Sequence, residues 1–171
     1  MKKIIIFLIL VLLLIGCSHD AEQVLTEQFP YPESTEILYE ETIEKGEIIL
    51  YKDESGFRHA FVTQGESQNW TNSGNAELNP IDGFSWTMIN DVKTPIFTLA
   101  GVITNDEITD VIVKQKTEEK TANILYTKDG LKVWYAYFDI LEEPNPGEPD
   151  PLKIEALSNE GEILWKDGVY N

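Results

Sequence analysis

The sequence predicts a mainly β protein, a single antiparallel β-sandwich or open barrel of about ten strands with one short N-terminal helix. Three observations carry this expectation. From Glu36 onward, apolar residues recur at every second position in short runs, the period of a half-buried strand. Most of these runs are separated by Gly, Asn and Asp clusters suited to tight turns. One run, Leu131 to Ile140, is apolar or aromatic on both faces, which implies a strand covered from two sides and places it at the centre of the core.

The first element is not part of the body. Met1-Lys2-Lys3 is a short basic start, and Ile4 to Ile15 is an unbroken apolar run of twelve residues. That is the pattern of a secretory signal. It is shorter than the ~20 apolar residues a spanning helix needs. The run closes on Leu14-Ile15-Gly16-Cys17, which resembles the lipobox of bacterial lipoproteins. The resemblance implies that the Cys17 thiol receives a diacylglyceryl group and that a peptidase then cuts just before it. A thiolate is the only strongly nucleophilic side chain in the stretch, which fits that chemistry. Residues 1–16 are then a signal peptide, and residues 17–35 the lipidated cysteine, a tether and a short helix. The protein is expected at the cell membrane, lipid-anchored on its extracytoplasmic face. Two acyl chains make such an anchor lasting, at ~0.8 kcal/mol per buried methylene.

Within the tether, Asp20 and Gln23 have capping-box spacing, and Ala21, Val24, Leu25 and Phe29 fall on one helical face before Pro30 and Pro32 end it. The β domain, residues 36–171, follows. Ile37, Tyr39 and Ile43 alternate with polar neighbours in a first strand, and Glu47 to Lys52 forms a second. Asp53 to Gly56 turns into a third, Phe57 to Gln64, with Phe57, His59 and Phe61 on one side. Gly65 to Gly83 breaks the rhythm and is long for a structureless loop, so part of it around Gln68 to Thr71 is expected to pair. Phe84 to Ile89 resumes strand character. Ile96 to Thr104 and Ile108 to Gln115 read as a hairpin turned at Asn105-Asp106. Ala122 to Thr127 and Leu131 to Ile140 read as another, through Lys128-Asp129-Gly130. Leu141 to Pro151 holds four of the eight prolines and cannot pair along its length. Leu152 to Leu157 and Glu162 to Lys166 close the chain as a last hairpin. In general pattern, the body resembles small uncharacterised lipoproteins of Gram-positive bacteria, a likeness that implies no activity.

Composition narrows the function. Lys2 and Lys3 lie in the signal, which leaves 11 basic against 30 acidic side chains, a net of −19. So acidic a surface argues against nucleic acid and against flat docking on anionic lipid. Cys17 is the single cysteine, so no disulfide forms within the chain, and the core alone must hold the domain.

Catalytic chemistry is thinly represented. The chain has two histidines, of which His19 lies in the tether and His59 among strand aromatics. Nucleophilic triads and the usual zinc sites therefore lack their parts. The loop carboxylates Asp53-Glu54, Asp106-Glu107 with Asp110, and Glu142-Glu143 with Glu148 and Asp150 do not follow the spacing of a calcium loop. That leaves calcium, a taker of oxygen ligands, open but assigns no metal site. No glycine-rich phosphate loop opens a helix, so no cofactor is expected. Trp70 with Asn69, Asn72 and Asn75 combines an aromatic plate with amide hydrogen-bonders, a mixture that suits sugars or peptides. The expectation is a binding module whose partners are the membrane, through Cys17, and an envelope protein or glycan. Two alternatives stay open: an envelope-glycan hydrolase using a carboxylate pair, and a structural envelope protein with no ligand.

Overall fold

A computed structural model of the chain describes residues 28–65, 69–143, 146–149 and 151–168. It divides into two compact units, residues 1–34 and 35–171. In the first, the described part holds a 3-10 turn at Pro32–Ser34. The helix expected after Asp20 falls outside the described residues except for Gln28 and Phe29, which are not helical. Cys17 lies outside them too.

Among its described residues the second unit holds twelve strands: β1 (Glu36–Ile43), β2 (Gly46–Asp53), β3 (Gly56–Thr63), β4 (Trp70–Asn72), β5 (Phe84–Ile89), β6 (Phe97–Ile103), β7 (Ile108–Lys114), β8 (Glu119–Thr121), β9 (Asn123–Tyr126), β10 (Lys132–Phe138), β11 (Lys153–Ser158) and β12 (Ile163–Asp167). They form three antiparallel four-stranded sheets, in the orders β1-β2-β3-β4, β5-β6-β10-β9 and β12-β11-β7-β8. None closes into a barrel. The mainly β, antiparallel sandwich expected from the sequence is thus present, with one layer more than a simple pair of sheets.

The extra layer follows from β6 and β10. Every residue of β6 is buried, and so is all of β10 except Tyr137. Successive strand residues point to opposite faces, so two strands buried on both faces and lying side by side need a cover on each side. On one face Phe97, Leu99, Trp134, Ala136 and Phe138 meet Val111, Val113, Ile154 and Ala156 of the third sheet. On the other, Ala100, Val102, Val133 and Tyr135 meet Ile48, Leu50, Phe57 and Phe61 of the first. The middle sheet is therefore packed on both faces. Phe97 and Phe138 stack at 5.0 Å, and Phe84 and Trp134 at 5.2 Å. Such ring pairs contribute about 0.5–1.5 kcal/mol each beyond the area they bury.

Gly101 is the point where a side chain would not fit. It lies between Trp86 on β5 and Trp134 on β10. The Trp134 indole donates across it to the Ser85 carbonyl at 3.3 Å. A Cβ on Gly101 would overlap that carbonyl oxygen and stand 2.7 Å from Trp134 Nε1.

One expected pairing is corrected. β6 and β7 do not form a hairpin: β6 pairs with β5 and β10, and β7 with β11 and β8. The backbone N–H groups of Thr104 and Asn105 both donate to the Gly83 carbonyl, at 2.9 and 3.1 Å. This keeps the end of β6 on the β5 side, and the chain turns a corner into the third sheet. Asn105 stabilises that corner by accepting from the Glu107 amide at 3.0 Å. The other two expected hairpins, β9–β10 and β11–β12, are present, with Gly130 at φ 86° and Gly161 at φ 82° in their turns. Two strands of three residues, β4 and β8, raise the count above ten.

Candidate functional site

Trp70 is on β4, the edge of the first sheet, in register with Val62. With Asn72 it shares the face turned away from the middle sheet. Its indole N–H donates to Asn72 Oδ1 at 2.8 Å, and the Tyr51 hydroxyl donates to the same oxygen at 2.9 Å. Asn69 serves through its backbone, its N–H donating to Thr63 Oγ1 and its carbonyl accepting from the Thr63 N–H. Asn75 stands elsewhere: its amide donates to the Ser55 carbonyl at 3.0 Å. So the fold brings Trp70 and Asn72 together, and their polar atoms bond each other and Tyr51. Next to them Arg58 Nε lies 3.1 Å from Asp53 Oδ2, and its guanidinium also donates to the Ser73 carbonyl at 3.0 Å. Burial raises the Tyr51 hydroxyl well above its usual range, more than the Arg58 charge lowers it.

A different aromatic pair lines a cleft. β5 is an edge of the middle sheet and β12 an edge of the third. Trp86 projects from β5 and Trp165 from β12, both half-buried, with Phe84 behind them 4.4 Å from the Trp165 ring. The stretch from Asn75 to Asp82 supplies the opposite wall through Glu77, Pro80 and Ile81. The open cleft measures about 430 Å³, within the size range of small-molecule sites. Ile81 is 99% exposed at the rim, unusual for so large an apolar side chain.

The hydrogen-bonding groups of this cleft are largely committed. The Trp86 indole N–H donates to Asp167 Oδ2 at 3.1 Å. Ser85 Oγ donates to the Glu77 carbonyl at 2.7 Å, and the Asn75 amide to Ser55. What remains toward solvent is aromatic and aliphatic surface, the Trp165 indole N–H and the exposed carboxylates of Glu77 and Asp82. The lining includes no Lys, Arg or His.

A second cleft, of about 420 Å³, is bordered by Asp106, Glu107, Glu160 and Glu162. All four carboxylates are exposed. Among the described residues no group of three or more His, Cys, Asp or Glu is placed to hold a metal ion.

His59 is fully buried between the first and middle sheets. Its Nε2 lies 2.8 Å from Thr98 Oγ1, and Nδ1 has no hydrogen-bond partner. Burial holds its pKa down to about 3, so the ring is neutral at ordinary pH. It is enclosed by Phe57 and Phe61 on its own face, away from any cleft described above.

Trp86 and Trp165 are 79 positions apart in the sequence and belong to different sheets. The sequence marks both as strand residues, and nothing local signals that they meet. Compared with protein-family models, with curated proteins and with solved structures, the chain matches none.

Proposed function

We propose that this chain is a membrane-anchored extracytoplasmic lipoprotein whose β domain is a binding module, and that its binding site is the Trp86–Trp165 cleft. The observation that carries the reading is the cleft itself. Two indoles from separate sheets stand half-exposed beside a cleft of about 430 Å³. Half-exposed aromatics in a concave site are the side chains that contribute most to binding small ligands. The anchor rests on the lipobox-like Leu14-Ile15-Gly16-Cys17. The binding reading is preferred to a hydrolase because acid–base catalysis by two carboxyls needs their environments to differ. The four acids at the second cleft share one exposed, solvated setting.

Two measurements test the two halves. Cys17→Ser should abolish labelling by radioactive palmitate and leave the signal uncut before residue 17; unchanged labelling of that variant overturns the anchor. For the cleft, Trp165→Phe should change the response of Trp fluorescence to ligands of the envelope, whereas Trp70→Phe should not. A response lost with Trp70 and kept without Trp165 moves the site to β4.

A further inference from the structure

We propose that the Trp86–Trp165 cleft takes a quaternary ammonium group, held against the indoles and drawn in by the carboxylates at its rim. This inference deepens the binding reading and rests on it.

A neutral sugar is bound by a mixture of donors and acceptors around an aromatic plate. Here the Trp86 N–H, the Ser85 hydroxyl and the Asn75 amide donate to protein acceptors. The polar side-chain atoms that remain at the mouth are the Trp165 indole N–H and the Glu77 and Asp82 carboxylates, so acceptors outnumber donors and the charge is negative. An anion is disfavoured by the same two carboxylates and by a chain with 30 acidic against 13 basic residues. A cation is what this surface complements.

The kind of cation follows from where the groups sit. Glu77 and Asp82 are exposed at the rim, so a primary ammonium that gave up its hydration to reach them would gain little. A quaternary ammonium carries methyl groups, sheds water readily and is attracted by the π surface of indoles, the side chains best suited to it. The Trp86 ring is also polarised toward greater negative charge by the Asp167 carboxylate on its N–H. The cleft of about 430 Å³ holds such a head group with room for the chain that carries it.

The test uses the full lipidated chain in a polyoxyethylene detergent, which contains neither sugar nor ammonium. Indole N–H resonances are followed by NMR while tetramethylammonium, choline, butylammonium or chitotriose is added. The expected result is a saturable shift of the Trp86 and Trp165 signals with tetramethylammonium and choline, at millimolar concentration. The other two indoles should not move. Glu77→Gln combined with Asp82→Asn alters only exposed side chains; it should weaken binding about five-fold while the indole spectrum stays folded. If butylammonium binds as tightly as choline, the quaternary assignment is overturned. If chitotriose shifts the two indoles and the cations do not, the cleft is a binding site but for a neutral glycan, and this inference alone falls. If no probe shifts them, the inference falls; if in addition envelope ligands leave the Trp165→Phe response unchanged, the cleft reading falls with it.

Discussion

His59 makes the stability of the β domain depend on pH in a way that can be isolated. Its ring is fully buried, its Nδ1 is unpartnered, and its pKa is held down to about 3 by loss of hydration. In the unfolded chain the same ring titrates near the ordinary value of about 6.5. Because the folded pKa is the lower one, the unfolded state takes up the proton first. The contribution is fully present above about pH 6.5 and is lost as pH falls toward about 3. Each pH unit in that window removes about 1.4 kcal/mol, so the step from neutral to pH 4.5 costs roughly 3 kcal/mol. Carboxylates titrate in part of the same range, and the comparison with His59→Gln removes their share. The glutamine amide can reach Thr98 and does not titrate. Urea denaturation followed by Trp fluorescence at several pH values is the assay. With a slope of about 2 kcal/mol per molar urea, the parent midpoint should fall by roughly 1 M or more beyond that of the variant between neutral pH and pH 4.5. Any constant offset between the two proteins is immaterial. Parallel curves would refute the reasoning, because they would mean that His59 is solvated or protonated in the folded state.

Three further outcomes are expected. Gly101→Ala should destabilise the domain by about 2–4 kcal/mol in urea titration, since the methyl must displace β5 and the Trp134 hydrogen bond crosses that gap; a loss below about 0.5 kcal/mol would show that β5 yields freely. Trp134→Phe keeps most of the packing but leaves the Ser85 carbonyl without its indole donor, and should cost about 2–3 kcal/mol by the same assay. Asp129, in the β9–β10 turn, is bonded to Lys52 of the first sheet, which holds its pKa down to about 2, with the Thr127 hydroxyl assisting. Its folded pKa is depressed, so its contribution is present above the unfolded value near 3.9 and lost as pH falls through about 2. Asp129→Asn should flatten the pH dependence below pH 4 and leave it unchanged at pH 5 and above, as read from thermal midpoints.

What could be read from the sequence was what one strand reveals by itself. The two-faced apolar run around Trp134 placed β10 in the interior, and Phe57, His59 and Phe61 do share the buried face expected of them. Turn glycines marked the β9–β10 and β11–β12 hairpins because a positive φ is a local property. Pairing across the corner at Asn105 was misread for the same reason. Asn105-Asp106 gives a turn, and whether the strands beyond it pair is decided by the distant Gly83 carbonyl. The Trp86–Trp165 cleft was illegible, since it exists only where the edges of two sheets come side by side. The aromatic-and-amide mixture around Trp70 is legible in the sequence, but the pleat of β4 brings its indole N–H and Asn72 into a bond with each other, and Asn75 is carried to a different wall.

The middle sheet also sets an order of events during synthesis. The chain delivers all of the first sheet by Asn72, with Ile48, Leu50, Phe57 and Phe61 on the face that will be covered. Their cover comes from β6 and β10, and the latter is complete only at Phe138. The third sheet waits longer, until β11 and β12 have been made, although β7 precedes β10. A ribosome therefore releases a sticky half-structure well before its closing piece exists. Long-range pairing of this kind is slow and exposes strand edges in the meantime. Chains cut short before Phe138 should fail as a whole, with no smaller stable fragment left behind, and the nascent protein is the stage at which a holding chaperone would matter most.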